Sequence, residues 1–424
     1  MAVPAGHHNE RNVIPEFFTK TREGVPVECV FLFNDGLIMD PFIFQSPTRV
    51  CFGEYMSATA FDLIQELGGS RPLVVTDDFL VKSGLLETML EEIPRIDGEH
   101  AIFSDVPPDS DLGCVDRASD YARGKGCDSV IAVGGGSVID TAKVVNICLS
   151  LGGHILDHQG LNIIENRLNP LVAIPTTTGT GSEVSYVAMI KDIQDERKLV
   201  FGSRFMAPDA AILDPVLTVT LPPKLTAATG MDAITHGLEA LVVPSTRSAF
   251  TDSLAITSMR ILFEFLPRAT SHGDDIEARS QTLIASTMAG IAFSNAGVGI
   301  IHALAHATGA RFKTHHGMTN AVFLPHGIRF NTESSAARYA EAARALGIYD
   351  KFDDNEGTER LVRAIKELMD TIQLPQNLEA LGVPRMDQDQ MRDWAHLVIE
   401  DPAIMFNPRD ASLEDVIEIF ERAY

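Results

Sequence analysis

"SVIAVGGGSVIDTAK", residues 129–143, joins a short run rich in β-branched residues to three consecutive glycines and then to a helical pattern. The first part reads as a buried strand and the last as the start of a helix over 137–151. Gly134, Gly135 and Gly136 stand between them. Without Cβ atoms the backbone can approach a phosphate, and the N-terminus of the following helix offers unpaired N–H groups and partial positive charge. The spacing is not the GxGxxG of the usual dinucleotide fingerprint, but an ordinary strand-to-helix turn needs one glycine rather than three.

Outward from this stretch the same rhythm repeats. "RPLVVTD" (71–77), "HAIFSD" (100–105), "DSVIAV" (128–133) and "PLVAIPTT" (170–177) read as strands. "SGLLETMLEEI" (83–93) and "DLGCVDRASDYARGKG" (111–126) read as helices between them. Strands alternating with helices of this length imply an α/β domain with a parallel, Rossmann-like sheet covered on both faces. After "DPVLTVTLPP" (214–223) strand signals become sparse, and segments such as "KLTAATGMDAITHGLEALV" and "SLEDVIEIFERAY" carry apolar residues at helical spacing. The expected organisation is an N-terminal extension over 1–40, a dinucleotide-binding α/β domain over 41–222 and an all-helical domain over 223–424. The active site is expected in the cleft between the two domains. The extension has no assigned role; covering the edge of a dimer is one use for it.

Composition narrows the function. The 424 residues carry a formal net charge of −24, which disfavours binding to a nucleic-acid backbone or an anionic membrane. No secretory leader and no long apolar span is visible, and the five cysteines form no CxxC pair. A cytoplasmic enzyme is the simplest expectation.

A second glycine loop, "IPTTTGTGSEVS" (174–185), follows a strand and gathers Thr176, Thr177, Thr178, Thr180 and Ser182 around Gly179 and Gly181. Hydroxyls on pliable backbone suit a pyrophosphate, a ribose or a carboxamide. Two such loops in one parallel-sheet domain point to a dinucleotide. Asp77, at the end of "PLVVTD", is placed to take adenosine ribose hydroxyls and would repel a 2′-phosphate, which favours NAD over NADP. A turn-forming aspartate is the competing reading of the same residue.

The helical half collects histidines. Asp232 and His236 lie four apart, as do His302 and His306, and His315 and His316 follow shortly after. Residues at this spacing project from one helix face. A single histidine on an apolar face is most often a satisfied core residue. Two such pairs with further imidazoles downstream instead suit a borderline divalent metal such as iron(II) or zinc, held without thiolates. Spacing leaves open which four groups bind.

In order and spacing, "GGGSVID", "PTTTGTGSEVS", "GMDAITHGLEA", "HALAHATGA" and "HGMTNAVFLPHGIRFN" resemble the iron-containing (group III) alcohol dehydrogenase family, from about Phe42 to the C-terminal "NPRDASLEDVIEIF". The resemblance implies a metal held by Asp232, His236, His302 and His316. His306 then matches a histidine near the nicotinamide that serves as a proton relay, and His315 has no counterpart. Gly134, Gly135, Gly136 and Ser137 match the pyrophosphate loop, with Asp140 in the same motif. Thr176, Thr177 and Thr180 match residues lining the cofactor, Lys198 a cofactor-side lysine, and Asp77 the acidic residue of NAD-using members. The implied reaction interconverts a small alcohol and an aldehyde or ketone with NAD and Fe2+ (or Zn2+), the metal acting as Lewis acid. Relatives commonly form dimers or larger homo-oligomers.

Three rivals remain at this stage. A hydroxyacid–oxoacid transhydrogenase with tightly held NAD would want an arginine for a substrate carboxylate, for which Arg311, Arg329 and Arg409 are candidates. A dehydroquinate synthase-type lyase shares the two-domain plan but would want a more basic cleft. A helical metal-binding module without catalysis leaves both glycine loops unexplained.

Overall fold

The computed structural model describes residues 42–84, 86–193 and 197–424, and the expectation for residues 1–40 lies outside them. Among the described residues the strands are Arg49–Phe52 (β1), Pro72–Val75 (β2), Ile102–Phe103 (β3), Ser129–Gly134 (β4), Gly160–Leu161 (β5), Leu171–Pro175 (β6), Val187–Asp192 (β7), Arg197–Gly202 (β8) and Ala210–Leu213 (β9). Six form one parallel sheet in the order β1-β9-β6-β4-β2-β3. The other three make a small sheet in which β8 runs antiparallel to β7 and parallel to β5.

Strands β2, β4 and β6 are buried at every position, as expected of parallel strands covered on both faces. Their side chains alternate between two cores. Leu73, Val75, Val130, Ala132, Leu171 and Ala173 enter one, while Val74, Ile131, Val133, Val172 and Ile174 enter the other. Helices Ala60–Glu66 (α1), Asp78–Lys82 (α2), Glu87–Glu92 (α3), Leu112–Lys125 (α4) and Gly136–Leu151 (α5) lie between the strands in sequence. The sequence predicts a single helix over 83–93. The helix there is the shorter α3, separated by Gly84 at φ +75 from α2, which lies before the expected segment and has no counterpart in the sequence reading. Strands β1 and β9 and the β7–β8 pair have no counterpart in the sequence reading. At four residues β1 is short and mostly exposed at the sheet edge, so it carries little apolar signal.

From Pro223 onward every regular element is helical: Pro223–Val242 (α6), Ala249–Ser271 (α7), Ile276–Ala296 (α8), Ile300–Phe312 (α9), His316–Ala345 (α10), Asp354–Thr371 (α11), Gln388–Ile399 (α12) and Leu413–Ala423 (α13), with a 3-10 turn at Pro402–Phe406. Helix α6 is buried continuously from Thr226 to Val242, so it forms the spine of this half. Close backbone approaches fix its neighbours. A Cβ on Gly317 would lie 2.2 Å from the Ala228 carbonyl oxygen, so only glycine lets the start of α10 sit on α6.

Candidate metal and cofactor site

Helix α6 supplies Asp232 and His236 from one face, α9 supplies His302 and His306, and the first turn of α10 supplies His316. Asp232, His302 and His316 each offer an atom to a group whose members lie within 4.8 Å of one another. Asp232 Oδ1 is 3.9 Å from His302 Nε2 and 3.5 Å from His316 Nε2. His236, the fourth ligand expected from the sequence, is not a member of that group; its ring stacks beside it, on His302 at 4.6 Å and on Phe293 at 4.2 Å. Its buried Nδ1 has no hydrogen-bond partner. Burial lowers the His236 pKa to about 4, so at neutral pH the ring is uncharged and one nitrogen offers a lone pair. One carboxylate with convergent imidazoles, of which burial keeps His236 and His316 uncharged, fits a borderline divalent cation.

Two neighbours absent from the sequence reading organise this group. Glu239, one turn beyond His236, accepts a short hydrogen bond from His302 Nδ1 and the Ile301 N–H at 2.7 Å. This fixes the tautomer that leaves His302 Nε2 free to bind a metal. Burial opposes protonation of His302, but the adjacent Glu239 carboxylate outweighs it and holds the pKa above its ordinary value. Asn320, one turn after His316, directs its amide nitrogen at Asp232 Oδ1 (2.7 Å) and toward the Nε2 atoms of His316 (3.1 Å) and His302 (3.2 Å).

His306 stands beside the group. Its ring lies parallel to that of His316 at 5.3 Å, and its Nδ1 is 2.9 Å from Asp401 Oδ2. Asp401 also caps the 3-10 turn through Ala403 N–H. Burial raises the Asp401 pKa, but His306 and the Ala403 N–H outweigh it and hold the carboxyl below its usual range. His315 is exposed at the N-cap of α10 and takes no part in the cluster.

On the sheet side, β4 ends at Gly134 and α5 begins at Gly136. A Cβ on Gly136 would sit 2.7 Å from Thr180, and one on Gly135 3.1 Å from Thr177. The two glycine loops therefore interlock, and Thr177 and Thr180 border the first. The Thr176 N–H donates to the Gly134 carbonyl at 3.0 Å. Gly179 packs where a Cβ would be 2.4 Å from the Thr229 carbonyl oxygen, three residues before Asp232 on α6. The threonine loop thus abuts the helix that carries the metal-ligand candidates.

Ser137 Oγ accepts the Asp109 N–H at 3.1 Å, and Lys198 pairs with Asp109 at 2.7 Å, which brings Lys198 to the start of α5. Asp140 faces inward instead. Its Oδ2 accepts the Met189 N–H at 2.9 Å, tying α5 to β7, and burial raises its pKa. Asp77 caps α2 through Oδ1 and the Leu80 N–H at 2.9 Å, the turn role that sequence reading held as its alternative.

The arginines that a substrate carboxylate would require are engaged elsewhere. Arg329 forks onto Glu359, Arg409 bonds the Phe330 carbonyl, and exposed Arg311 lies over Phe312.

The model for "Iron-containing alcohol dehydrogenase" matches residues 47–215, and that for "Fe-containing alcohol dehydrogenase family, C-terminal" matches 226–424. The chain is 36% identical to the NAD-dependent methanol dehydrogenase of Bacillus methanolicus over 361 residues, covering 85% of this chain and 94% of that protein. A crystal structure of 1,3-propanediol oxidoreductase superposes with a TM-score of 0.86 at 32% identity, over 91% of this chain and all of that one. Sulfoacetaldehyde reductase from Bifidobacterium kashiwanohense, solved in complex with NAD+, superposes with a TM-score of 0.79 at 26% identity, over 91% and 99% of the respective chains.

Proposed function

Since the chain belongs to the iron-containing alcohol dehydrogenase family, we propose that it interconverts a small alcohol and the matching aldehyde or ketone by hydride transfer with NAD(H). The observation that carries this reading is the convergence of Asp232, His302 and His316 within 4.8 Å, with the helix that bears Asp232 packed on the second glycine loop of the sheet domain.

Residues 41–222 are read as the cofactor domain and 223–424 as the metal-binding domain. Asp232, His236, His302 and His316 would hold the metal, with Glu239 orienting His302. Gly134 to Ser137, Thr176, Thr177, Thr180, Lys198 and Asp77 would hold the dinucleotide, with Asp140 bracing the loop from behind. When bound, the metal supplies Lewis acidity at the substrate oxygen and the nicotinamide supplies or accepts hydride. His306 handles the proton. Its Nδ1–H is committed to Asp401, so Nε2 is the atom that takes the proton of the alcohol during oxidation and returns it during reduction. Phe293, stacked on His236, adds apolar surface to the same region.

No single helix among the described residues is long and apolar enough to cross a membrane. We place the enzyme in the cytoplasm as a homodimer or larger assembly. Val50 and Phe52, exposed on edge strand β1, are surface that such an assembly would cover.

The test is anaerobic NADH consumption with small aldehydes, ketones and oxo acids. The protein is first stripped with chelator, then given iron(II), zinc or nothing. Turnover of an uncharged aldehyde that requires added metal is expected. Turnover that is indifferent to chelation, or confined to oxo acids, would contradict the proposal.

A further inference from the structure

The acidic chain has a basic cavity well away from the site just described. It has a volume of about 520 Å³ and lies between α10, α11 and α13. His326, Arg329, Lys366, Arg409 and Arg422 face it, against only two carboxylates, Asp415 and Glu418. With His326 uncharged, four lining cations face those two carboxylates, and Glu359 and Glu333 pair with Arg329 and Arg409.

All three arginines are held by carboxylates, Arg409 and Arg422 by the two that line the cavity and Arg329 by one behind it. Arg329 forks onto Glu359 at 2.9 and 3.1 Å, and Arg422 pairs with Glu418 one turn earlier. Arg409 lies over the Phe330 ring at 4.3 Å, with Asp415 and Glu333 at 3.6 and 3.7 Å. These contacts fix guanidinium groups as walls while consuming part of their charge. Lys366 and His326 differ. Among the described residues neither the Lys366 ammonium nor the His326 ring makes a close ion pair or hydrogen bond, and the nearest charge partner of Lys366 is Glu359, whose carboxyl it helps to hold low. Burial, with Lys366, Arg329 and Arg422 alongside, lowers the His326 pKa to about 4. The ring is therefore neutral at pH 7 and offers one N–H donor. Phe330 and Ile419 add apolar wall.

We propose that this cavity is a second ligand site, and that it takes a small organic phosphate through Lys366 and His326, with Arg409 flanking and the ligand's apolar body against Phe330 and Ile419. Fixed guanidinium groups, an ammonium and a neutral imidazole N–H together match a phosphate's several acceptor oxygens. The pocket is ten residues beyond His316 on α10, roughly 15 Å along the helix, so a ligand there would not touch the reacting atoms.

The experiment loads the protein with zinc and saturating NADH, so that the glycine loops are already filled. Phenyl phosphate and inorganic phosphate are then titrated by calorimetry at constant ionic strength. Saturable, one-site binding of phenyl phosphate is expected, tighter than that of inorganic phosphate. Lys366→Gln and His326→Gln should each weaken it on the order of tenfold while NADH affinity is unchanged. Absence of saturable binding overturns the proposal. So does binding that both variants leave intact, since it would then lie elsewhere. Equal affinity for the two probes overturns the assignment of an organic ligand.

Discussion

The Asn320 amide nitrogen donates to Asp232 Oδ1 at 2.7 Å, and the same nitrogen lies within 3.2 Å of Nε2 on both His302 and His316. One side chain thus faces three of the atoms that a metal would claim. Without a cation it supplies the donor that a buried carboxylate needs. Asn320→Ala should therefore destabilise the chelator-treated protein by about 1–3 kcal/mol, the range for a buried acceptor left without its donor. With metal bound, Asp232 regains an electrophilic partner and the cost should shrink. Melting temperatures of both proteins, with and without zinc, check this. Metal should raise the melting temperature more in the variant; an equal rise would remove Asn320 from the role.

His306 and Asp401 form the next coupled pair. His306→Ala should lower kcat by about a hundredfold, the low end for loss of a positioned proton carrier. Asp401→Asn keeps a side chain able to cap Ala403 but removes the carboxylate that fixes the imidazole, so a smaller loss is expected. The double variant should be no slower than His306→Ala alone, because Asp401 acts through His306. Rates across pH for all three variants test the coupling; additive losses would show that Asp401 works on something else.

The parallel sheet and the helical half were legible because burial on both faces demands continuous apolar runs, and "SVIAV" and "LVAIP" supply them. The helical histidine pairs were legible for a similar reason, since spacing of four fixes a common face. Strand β1 was not, because at a sheet edge only one neighbour and one partly covered face constrain it. Around the metal group the residues that orient the ligand candidates were harder to see. Glu239 left a trace, lying on α6 one turn past His236. Asp401 left none: it sits 95 residues from His306, at a cap whose sequence signature is that of any turn. The roles of Asp77 and Asp140 show the converse. Their motifs draw attention to the cofactor, while the atoms seen to bond hold a helix cap and a strand.

Asp77 can be separated into those two roles. Asp77→Ser retains an oxygen to cap α2 at Leu80 but removes the charge that would repel a 2′-phosphate. The ratio of kcat/KM for NADP to that for NAD should rise at least about tenfold, with stability little changed. Asp77→Ala should show the same shift plus a loss of about 1 kcal/mol from the missing cap. Steady-state kinetics with both cofactors and thermal melts of both variants decide it. An unchanged ratio in Asp77→Ser would leave Asp77 as a cap only.

Lys143 provides a pH test of the scaffold behind the glycine loops. Its ammonium is fully buried, donates to Ser185 Oγ and the Val187 carbonyl at 2.9 Å, and lies 4.0 Å from Asp140. Burial lowers its pKa from 10.5 to about 8, with Asp140 and Glu183 opposing the shift. Between these two values the unfolded chain binds the proton more tightly than the folded chain. Stability conferred through this group must then rise as pH increases across that window, by at most about 1.4 kcal/mol per unit. Below pH 8 the folded chain bears the full cost of a buried charge. Lys143→Met removes the titration. Denaturant unfolding of both proteins from pH 7.5 to 10.5 should show the wild type gaining stability relative to the variant with each step; parallel curves would mean that Lys143 keeps its proton throughout and that its charge is better compensated than the surrounding contacts imply.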